Sequence, residues 1–231
     1  MPAIDHLPLR RAIIETALQM NACGINQGTS GNISVRADDG FLITPSGIPY
    51  EDLAAEDIVE MGFDGSYAGH HRPSSEWRFH RDILKARTDA DVVLHNHSVF
   101  ATSLSCHDME IPAFHYMVGV AGGTTIRCAD YATFGTTDLS VNALKALEDR
   151  TACLLSHHGV ICIAGTLKKA LWLAVEVETM AKQYVHVRML GNPKILSDEE
   201  MGRVLEQMRR MSYGQAPDLD PHADTPHRRD A

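Results

Sequence analysis

The run Val92-Val93-Leu94-His95-Asn96-His97 sets two imidazoles two residues apart at the end of an apolar stretch. On a strand, alternate side chains share a face, so His95 and His97 project together and Asn96 projects the other way. Such a pair can chelate a transition ion, since neutral imidazole is a common nitrogen ligand. It can equally be a pair of hydrogen-bonded core histidines, and the spacing alone leaves the two readings even. A catalytic metal needs further protein ligands and an open position for substrate. His157-His158 interrupts a second apolar run just before Gly159, and neighbours there cannot both point inward, so one of the two is a candidate. Glu76 follows Ser74-Ser75 at the start of a helical segment. The positive helix end favours a carboxylate there, which can serve as oxygen ligand or base, or simply be an ordinary first-turn glutamate.

A second kind of chemistry lies in three loops, Gln27-Gly28-Thr29-Ser30-Gly31-Asn32, Thr44-Pro45-Ser46-Gly47 and Pro73-Ser74-Ser75. Free backbone amides and short hydroxyls can hold a phosphate without a cluster of lysines. Any one of these loops taken alone is also plain turn chemistry. None carries the glycine spacing of a dinucleotide fingerprint or a Walker loop, which argues against a nucleotide cofactor. The lysines, among them Lys85, Lys145, Lys168 and Lys182, fall on polar helix faces or in loops, which disfavours Schiff-base catalysis.

These groups need elements to hold them. Leu9, Ile13, Thr16, Ala17 and Met20 lie at helical spacing and Gly24 follows as a stop. NISVRA and FLIT read as strands joined by Asp38-Asp39-Gly40, which has hairpin turn chemistry. A strand is expected around Ile58 to Met61, and Ser74 or Ser75 should cap a helix running to about Arg87. The run ending in His97 should feed a helix from Ser98 to Cys106, with a further strand near Thr125 to Cys128 and a helix near Asp138 to Glu148. Ala152 to Leu155 and Val160 to Ile163 read as strands on either side of the histidine pair. Thr166 can cap a long helix, and Ser197 with Glu200 forms a capping box for the last one. Hairpins with scattered helices, rather than strict βαβ alternation, predict an α/β fold with a central, mainly antiparallel sheet covered by helices. One domain over 1–214 is expected, and the Pro-, Asp- and His-rich stretch 215–231 is expected to be disordered.

The formal net charge of -9 argues against nucleic acid as a partner. No apolar run approaches membrane-spanning length and the start lacks a signal-peptide core, so no membrane association is expected and the predicted location is cytoplasmic. Five scattered cysteines without a C-x-x-C pattern fit reduced thiols with no functional role.

Taken in order, the strings NQGTSGNISVR, LITPSGIPY, PSSEWRFH, LHNHSV, IPAFHYM, YATFGT and LLSHHGV resemble the class II aldolase/epimerase (adducin-like) family, in its L-fuculose-1-phosphate aldolase branch. The likeness runs to about Tyr213. It implies a class II aldolase/adducin-like fold, a homotetramer with active sites between subunits, and one divalent metal per subunit, usually zinc, with cobalt or manganese as alternatives. By the same resemblance the ligands are Glu76, His95, His97 and His158, with His157 a bystander. Phosphate would rest on Gly31, Asn32, Ser46, Gly47, Ser74 and Ser75, where Ser46 stands at a position often held by threonine. Glu76 would also shuttle the proton at C3, the carbon that keeps the electron pair of the broken bond, Tyr116 would serve the aldehyde-side oxygen, Phe134 would shape the pocket, and Tyr213 would join from an adjacent subunit.

The reaction so implied is reversible cleavage of a ketose 1-phosphate to dihydroxyacetone phosphate and an aldehyde. L-Fuculose 1-phosphate, 5-deoxyribulose 1-phosphate and 5-methylthioribulose 1-phosphate are the candidate substrates. Rival readings on the same scaffold are a methylthioribulose-1-phosphate dehydratase, a pentulose-phosphate 4-epimerase, which carries aspartate where Glu76 stands, and a non-catalytic adducin-like binding module, which lacks the metal ligands.

Overall fold

The computed structural model describes residues 5–213; the expectation for 215–231 lies outside them. Its centre is an eight-stranded sheet. In chain order the strands are β1 (Asn32–Ala37), β2 (Gly40–Ile43), β3 (Val59–Gly62), β4 (Tyr67–Ala68), β5 (Val92–Asn96), β6 (Cys128–Ala129), β7 (Ala152–Leu155) and β8 (Gly159–Ala164). The spatial order is β4-β3-β2-β1-β5-β8-β7-β6. Every neighbouring pair is antiparallel except β6 with β7. Among the described residues six α-helices accompany the sheet: α1 (Leu7–Ala22), α2 (Trp77–Ala86), α3 (Val99–Ser105), α4 (Thr137–Ala146), α5 (Leu167–Met189) and α6 (Asp198–Arg210). The mainly antiparallel sheet covered by helices is thus the fold expected from the sequence.

The strand period of two divides the core into two layers. Ile33, Val35, Val92 and Leu94 pack with Ile13 and Met20 of α1, Leu104 of α3 and Leu173 and Val177 of α5. On the other face, Val93, Ile161 and Ile163 pack with Phe79 and Ile83 of α2 and Ala143 of α4. Odd-numbered positions of β5 therefore look toward α2, which fixes the side on which His95 and His97 emerge.

The hairpin forms as its turn residues dictate, with Ala37 paired to Gly40 across Asp38-Asp39 and Asp38 in the left-handed region at φ 42°. Thr166 and Ser197 accept backbone N–H groups of Lys169 and Glu200 and so cap α5 and α6. Two local expectations change, and one element appears that was not expected. Neither Ser74 nor Ser75 occupies the cap of α2, because Glu76 does, and its side chain makes no capping bond. The strand expected near Thr125 to Cys128 shrinks to the edge pair Cys128–Ala129, while Ile126 forms an isolated bridge with Ile111. Tyr116–Ala121 winds into a 3₁₀ turn whose short span carries no helical periodicity to read in advance. No helix among the described residues is long and apolar enough to cross a membrane.

Candidate metal centre and cleft

β5 ends with His95 wholly buried and the chain continues through His97 on the same face. β8 begins at Gly159 beside it, and this close approach depends on the missing side chain. A Cβ on Gly159 would stand 2.4 Å from the Asn96 carbonyl oxygen and 2.8 Å from the His97 ring. The turn before it puts His157 at φ 52°, a left-handed conformation that sends the two neighbouring imidazoles in different directions. His158 turns inward, and from the other side the first residues of α2 bring in Glu76, 5 % exposed.

One ligand atom from each of Glu76, His95, His97 and His158 lies within 4.8 Å of all the others. The closest approaches are His158 Nε2 to Glu76 Oε1 at 2.9 Å, His95 Nε2 to His97 Nε2 at 3.0 Å and His95 Nε2 to Glu76 Oε2 at 3.2 Å. Tetrahedral bonds of about 2.0–2.1 Å place ligand atoms about 3.3 Å apart, so the group has the span of a first-row metal site. The donor chemistry fits as well. His95 Nδ1 lies 2.9 Å from the Val160 carbonyl oxygen and must donate to it, which leaves Nε2 a bare lone pair aimed at the cluster. Glu76 Oε1, though close to His158, lacks the alignment of a hydrogen bond and is a buried, unsatisfied oxygen. A cation would satisfy both groups.

Electrostatics agree. Burial pushes the Glu76 carboxyl upward, but the neighbouring His95 and His158 rings overrule it and hold it well below the usual carboxylate range. His97 is lowered to about 4, first by burial and then by His95 and His158. Both groups therefore sit near neutral pH in the form that binds a metal.

Behind the cluster lies a buried polar network that the sequence reading passed over. Asn32 Nδ2 donates to Glu76 Oε2 at 3.0 Å, Asn32 Oδ1 faces His80 Nε2 at 2.5 Å, and His80 Nδ1 faces Ser34 Oγ at 2.7 Å. The signal was present: Asn32 and Ser34 are two apart on β1, and Glu76 and His80 are one helical turn apart. The strand pair and the helix pair meet face to face.

The cluster opens on a cleft of about 420 Å³ lined by Thr29, Ser30, Ser46, Gly47, Ser75, Tyr131, Phe134, His157 and the cluster residues Glu76, His97 and His158. Ser46, Gly47, Ser75 and Phe134 thus reach the cleft. Gly31, Asn32 and Ser74 do not line it; they stand in the wall behind. A Cβ on Gly31 would come within 2.7 Å of the His95 carbonyl oxygen, and Ser74 Oγ accepts the Glu76 amide at 3.3 Å. Thr29 and Ser30 belong to a loop singled out from the sequence although the residue-by-residue phosphate assignment left them out, Tyr131 was not singled out, and His157, set aside as a bystander, lies on the rim edge-on to Tyr131 with ring centres 6.0 Å apart. Tyr116 and Tyr213 are absent from the cleft lining. Each is nearly half exposed, at 47 % and 45 %, and their phenols neighbour each other: Tyr213 is raised by burial first and then by Tyr116.

Comparison with known proteins gives this geometry a setting. Residues 11–185 match the family described as Class II Aldolase and Adducin N-terminal domain. The chain is 51% identical over 210 residues to the 5-methylthioribulose-1-phosphate/5-deoxyribulose-1-phosphate aldolase of Rhodospirillum rubrum, covering 91% of this chain and 94% of that protein. To the L-fuculose phosphate aldolase of Escherichia coli it is 50% identical over 207 residues, covering 89% and 95%. A solved L-fuculose 1-phosphate aldolase superposes with a TM-score of 0.85 at 38% identity, over 90% of this chain and 98% of that one. With a family match across most of its length and aldolase relatives aligned nearly end to end, the chain belongs to the class II aldolase family, among its metal-dependent aldolases.

Proposed function

We propose that the chain cleaves a ketose 1-phosphate reversibly between C3 and C4 to dihydroxyacetone phosphate and a small aldehyde. The observation that carries this reading is the convergence of Glu76, His95, His97 and His158 at a cleft rimmed by hydroxyl and glycine groups. A divalent ion held by these four residues, zinc being the usual choice for such a nitrogen and oxygen set and cobalt or manganese the alternatives, supplies Lewis-acid stabilisation worth several kcal/mol for the charge left on the ketose half. Ser46, Gly47 and Ser75, with Thr29 and Ser30 beside them, would hold the phosphate through hydroxyls and backbone amides, and Gly31, Asn32 and Ser74 would shape the loops from behind.

The remaining work is proton transfer. The hydroxyl at C4 must lose its proton as the C3–C4 electron pair moves to C3, and C3 must then gain one. Glu76, an ionised carboxylate at rest, would shuttle the proton at C3, taking it up from solvent and passing it to the carbon, because its Oε1 is free of hydrogen bonds and faces the cluster. Tyr116 would relay the proton of the C4 hydroxyl, accepting it at the phenol oxygen as the phenol's own proton passes to solvent, with Tyr213 beside it. Both stand outside their own chain's cleft, which supports a homotetramer whose active sites lie between subunits. Phe134 and Tyr131 would wall the aldehyde end, where an apolar methyl or methylthio group fits. We also read 1–214 as one class II aldolase domain and place the enzyme in the cytoplasm, where its five free cysteines stay reduced.

The test is release of dihydroxyacetone phosphate, coupled to a reporter dehydrogenase, from L-fuculose, 5-deoxyribulose and 5-methylthioribulose 1-phosphates with and without chelator. Chelator-sensitive release is expected, and its rates rank the three aldehydes. No release from metal-loaded protein would remove the aldolase reading.

A further inference from the structure

We propose that Ser34 and His80 are positioning residues for Glu76, acting through Asn32 as a one-way chain of hydrogen-bond donors. The geometry leaves one assignment. A carboxylate only accepts, so Asn32 must turn its Nδ2 toward Glu76 Oε2. Its Oδ1 then faces His80 Nε2, and an acceptor at 2.5 Å obliges that nitrogen to carry the hydrogen. A neutral imidazole has one N–H, so Nδ1 is the acceptor and the Ser34 hydroxyl, 2.7 Å away, donates to it. Ser34 to His80 to Asn32 to Glu76, every donor points the same way, and the bond dipoles add at Oε2.

Ser34 and His80 are both 0 % exposed, so water does not substitute for either partner. Phe79 stacks on the His80 ring at 4.6 Å and fixes its plane. Burial keeps the imidazole neutral, lowering its pKa to about 3, which preserves the acceptor at Nδ1. Without His80, the Asn32 carboxamide could rotate and set its oxygen against Oε2, acceptor against acceptor. With His80 in place, Oε2 is anchored from behind and Oε1, lacking a hydrogen bond, is the oxygen left for the cluster. This is how outer partners orient metal ligands in general, and their loss typically costs about 10- to 100-fold in metal affinity or activity.

The kinetic half of the test rests on the aldolase reading, and the metal half does not. Cobalt(II) affinity is measured on chelator-stripped wild type, His80→Leu, His80→Gln and Ser34→Ala by competition with a chromophoric chelator, followed by kcat and KM at saturating metal. His80→Leu removes both hydrogen bonds and should weaken cobalt binding by about 10- to 100-fold, with kcat falling by a comparable factor and KM within about twofold. His80→Gln can donate to Asn32 and accept from Ser34, so it should recover to within about threefold of wild type. Ser34→Ala should fall between them. Wild-type affinity and kcat in a folded His80→Leu protein, or a glutamine variant no better than leucine, would overturn the proposal. If His80→Leu does not fold, Ser34→Ala decides, and wild-type behaviour there also overturns it. Wild type that binds cobalt yet releases no dihydroxyacetone phosphate breaks the aldolase reading while leaving the affinity comparison to judge the positioning chain.

Discussion

The floor of the cleft and the Tyr116–Tyr213 surface differ in how completely one chain furnishes them. At the floor, His95 is wholly buried and Glu76 nearly so, and Val160, Asn32, His80 and Ser34 all take part in fixing them. At the tyrosine surface, two phenols sit nearly half in solvent beside each other, with His115 stacked on Tyr116 and Trp172 edge-on to Tyr213, and neither lines the cleft that holds the histidine cluster. A side chain meant for chemistry is ordinarily held by packing and outer hydrogen bonds. The floor meets that standard within one chain, whereas the tyrosines meet it only if a second copy closes over them.

The largest effect should come from breaking the floor. His95→Ala removes a lone pair already aimed at the cluster and should abolish both metal content and dihydroxyacetone phosphate release, a loss of about 10³-fold or more in kcat/KM. Metal analysis of the purified variant beside the coupled assay checks it, and retained metal would remove His95 from the ligand set.

Next comes the tyrosine surface. Tyr116→Phe should keep its metal and lose about 10²- to 10⁴-fold in turnover, the range for one general acid–base group. The comparison sharpens when the two lesions are combined in separate chains. If each active site takes ligands from one subunit and Tyr116 from its neighbour, unfolding and refolding His95→Ala with Tyr116→Phe protein should regain activity, up to about a quarter of wild type by random pairing around a cyclic tetramer. Mixed protein as inactive as its parents would put Tyr116 and the metal in the same chain's site.

How much of this was legible in sequence follows from where each contact's information lies. The hairpin at Asp38-Asp39, the shared face of His95 and His97, and the cap at Thr166 are local, set by period two or by turn chemistry, and a single stretch of chain carries them. The meeting of Glu76 with those histidines depends on α2 crossing the sheet above β5, which no local pattern encodes; only the family resemblance pointed to it. His80 shows the reverse case. Its spacing from Glu76 was visible, but a histidine on the apolar face of an amphipathic helix looks like core packing until Asn32 and Ser34 are seen opposite it. Serine ahead of α2 reads as a cap, yet Glu76 holds that position because its carboxylate is turned toward the histidines rather than its own helix end. The edge pair Cys128–Ala129 is too short to show any period.

A smaller effect concerns stability, and it too separates the regions. His80 titrates at about 3 in the fold against about 6.5 unfolded, and His97 at about 4. Between those values and 6.5 the unfolded chain holds more protons than the folded one, so unfolding free energy rises with pH there and falls as the solution is acidified. Denaturant melts of chelated protein at pH 7, 6 and 5 should show stability declining by up to about 1.4 kcal/mol per pH unit for each such histidine. His80→Gln, which cannot titrate, should flatten that slope. An unchanged slope would mean that His80 is not held neutral by the fold. Tyr213, raised from its usual value, should leave the slope alone when changed to phenylalanine.

The smallest effect is expected at the rim. His157 shares the cleft with His158 but stands at the left-handed turn position with its ring against Tyr131, away from the four-residue group. His157→Ala should therefore keep full metal content and change kcat by less than about threefold, with any loss appearing as a higher KM for the sugar phosphate. The left-handed backbone itself is the risk in this substitution, since alanine tolerates φ 52° no better than histidine, so a small stability loss is expected alongside. Metal loss equal to that of His95→Ala would exchange the roles of the two histidines; an unchanged KM would confine substrate contact to the hydroxyl loops and the ligands, making the rim a wall that shapes the opening without touching what enters.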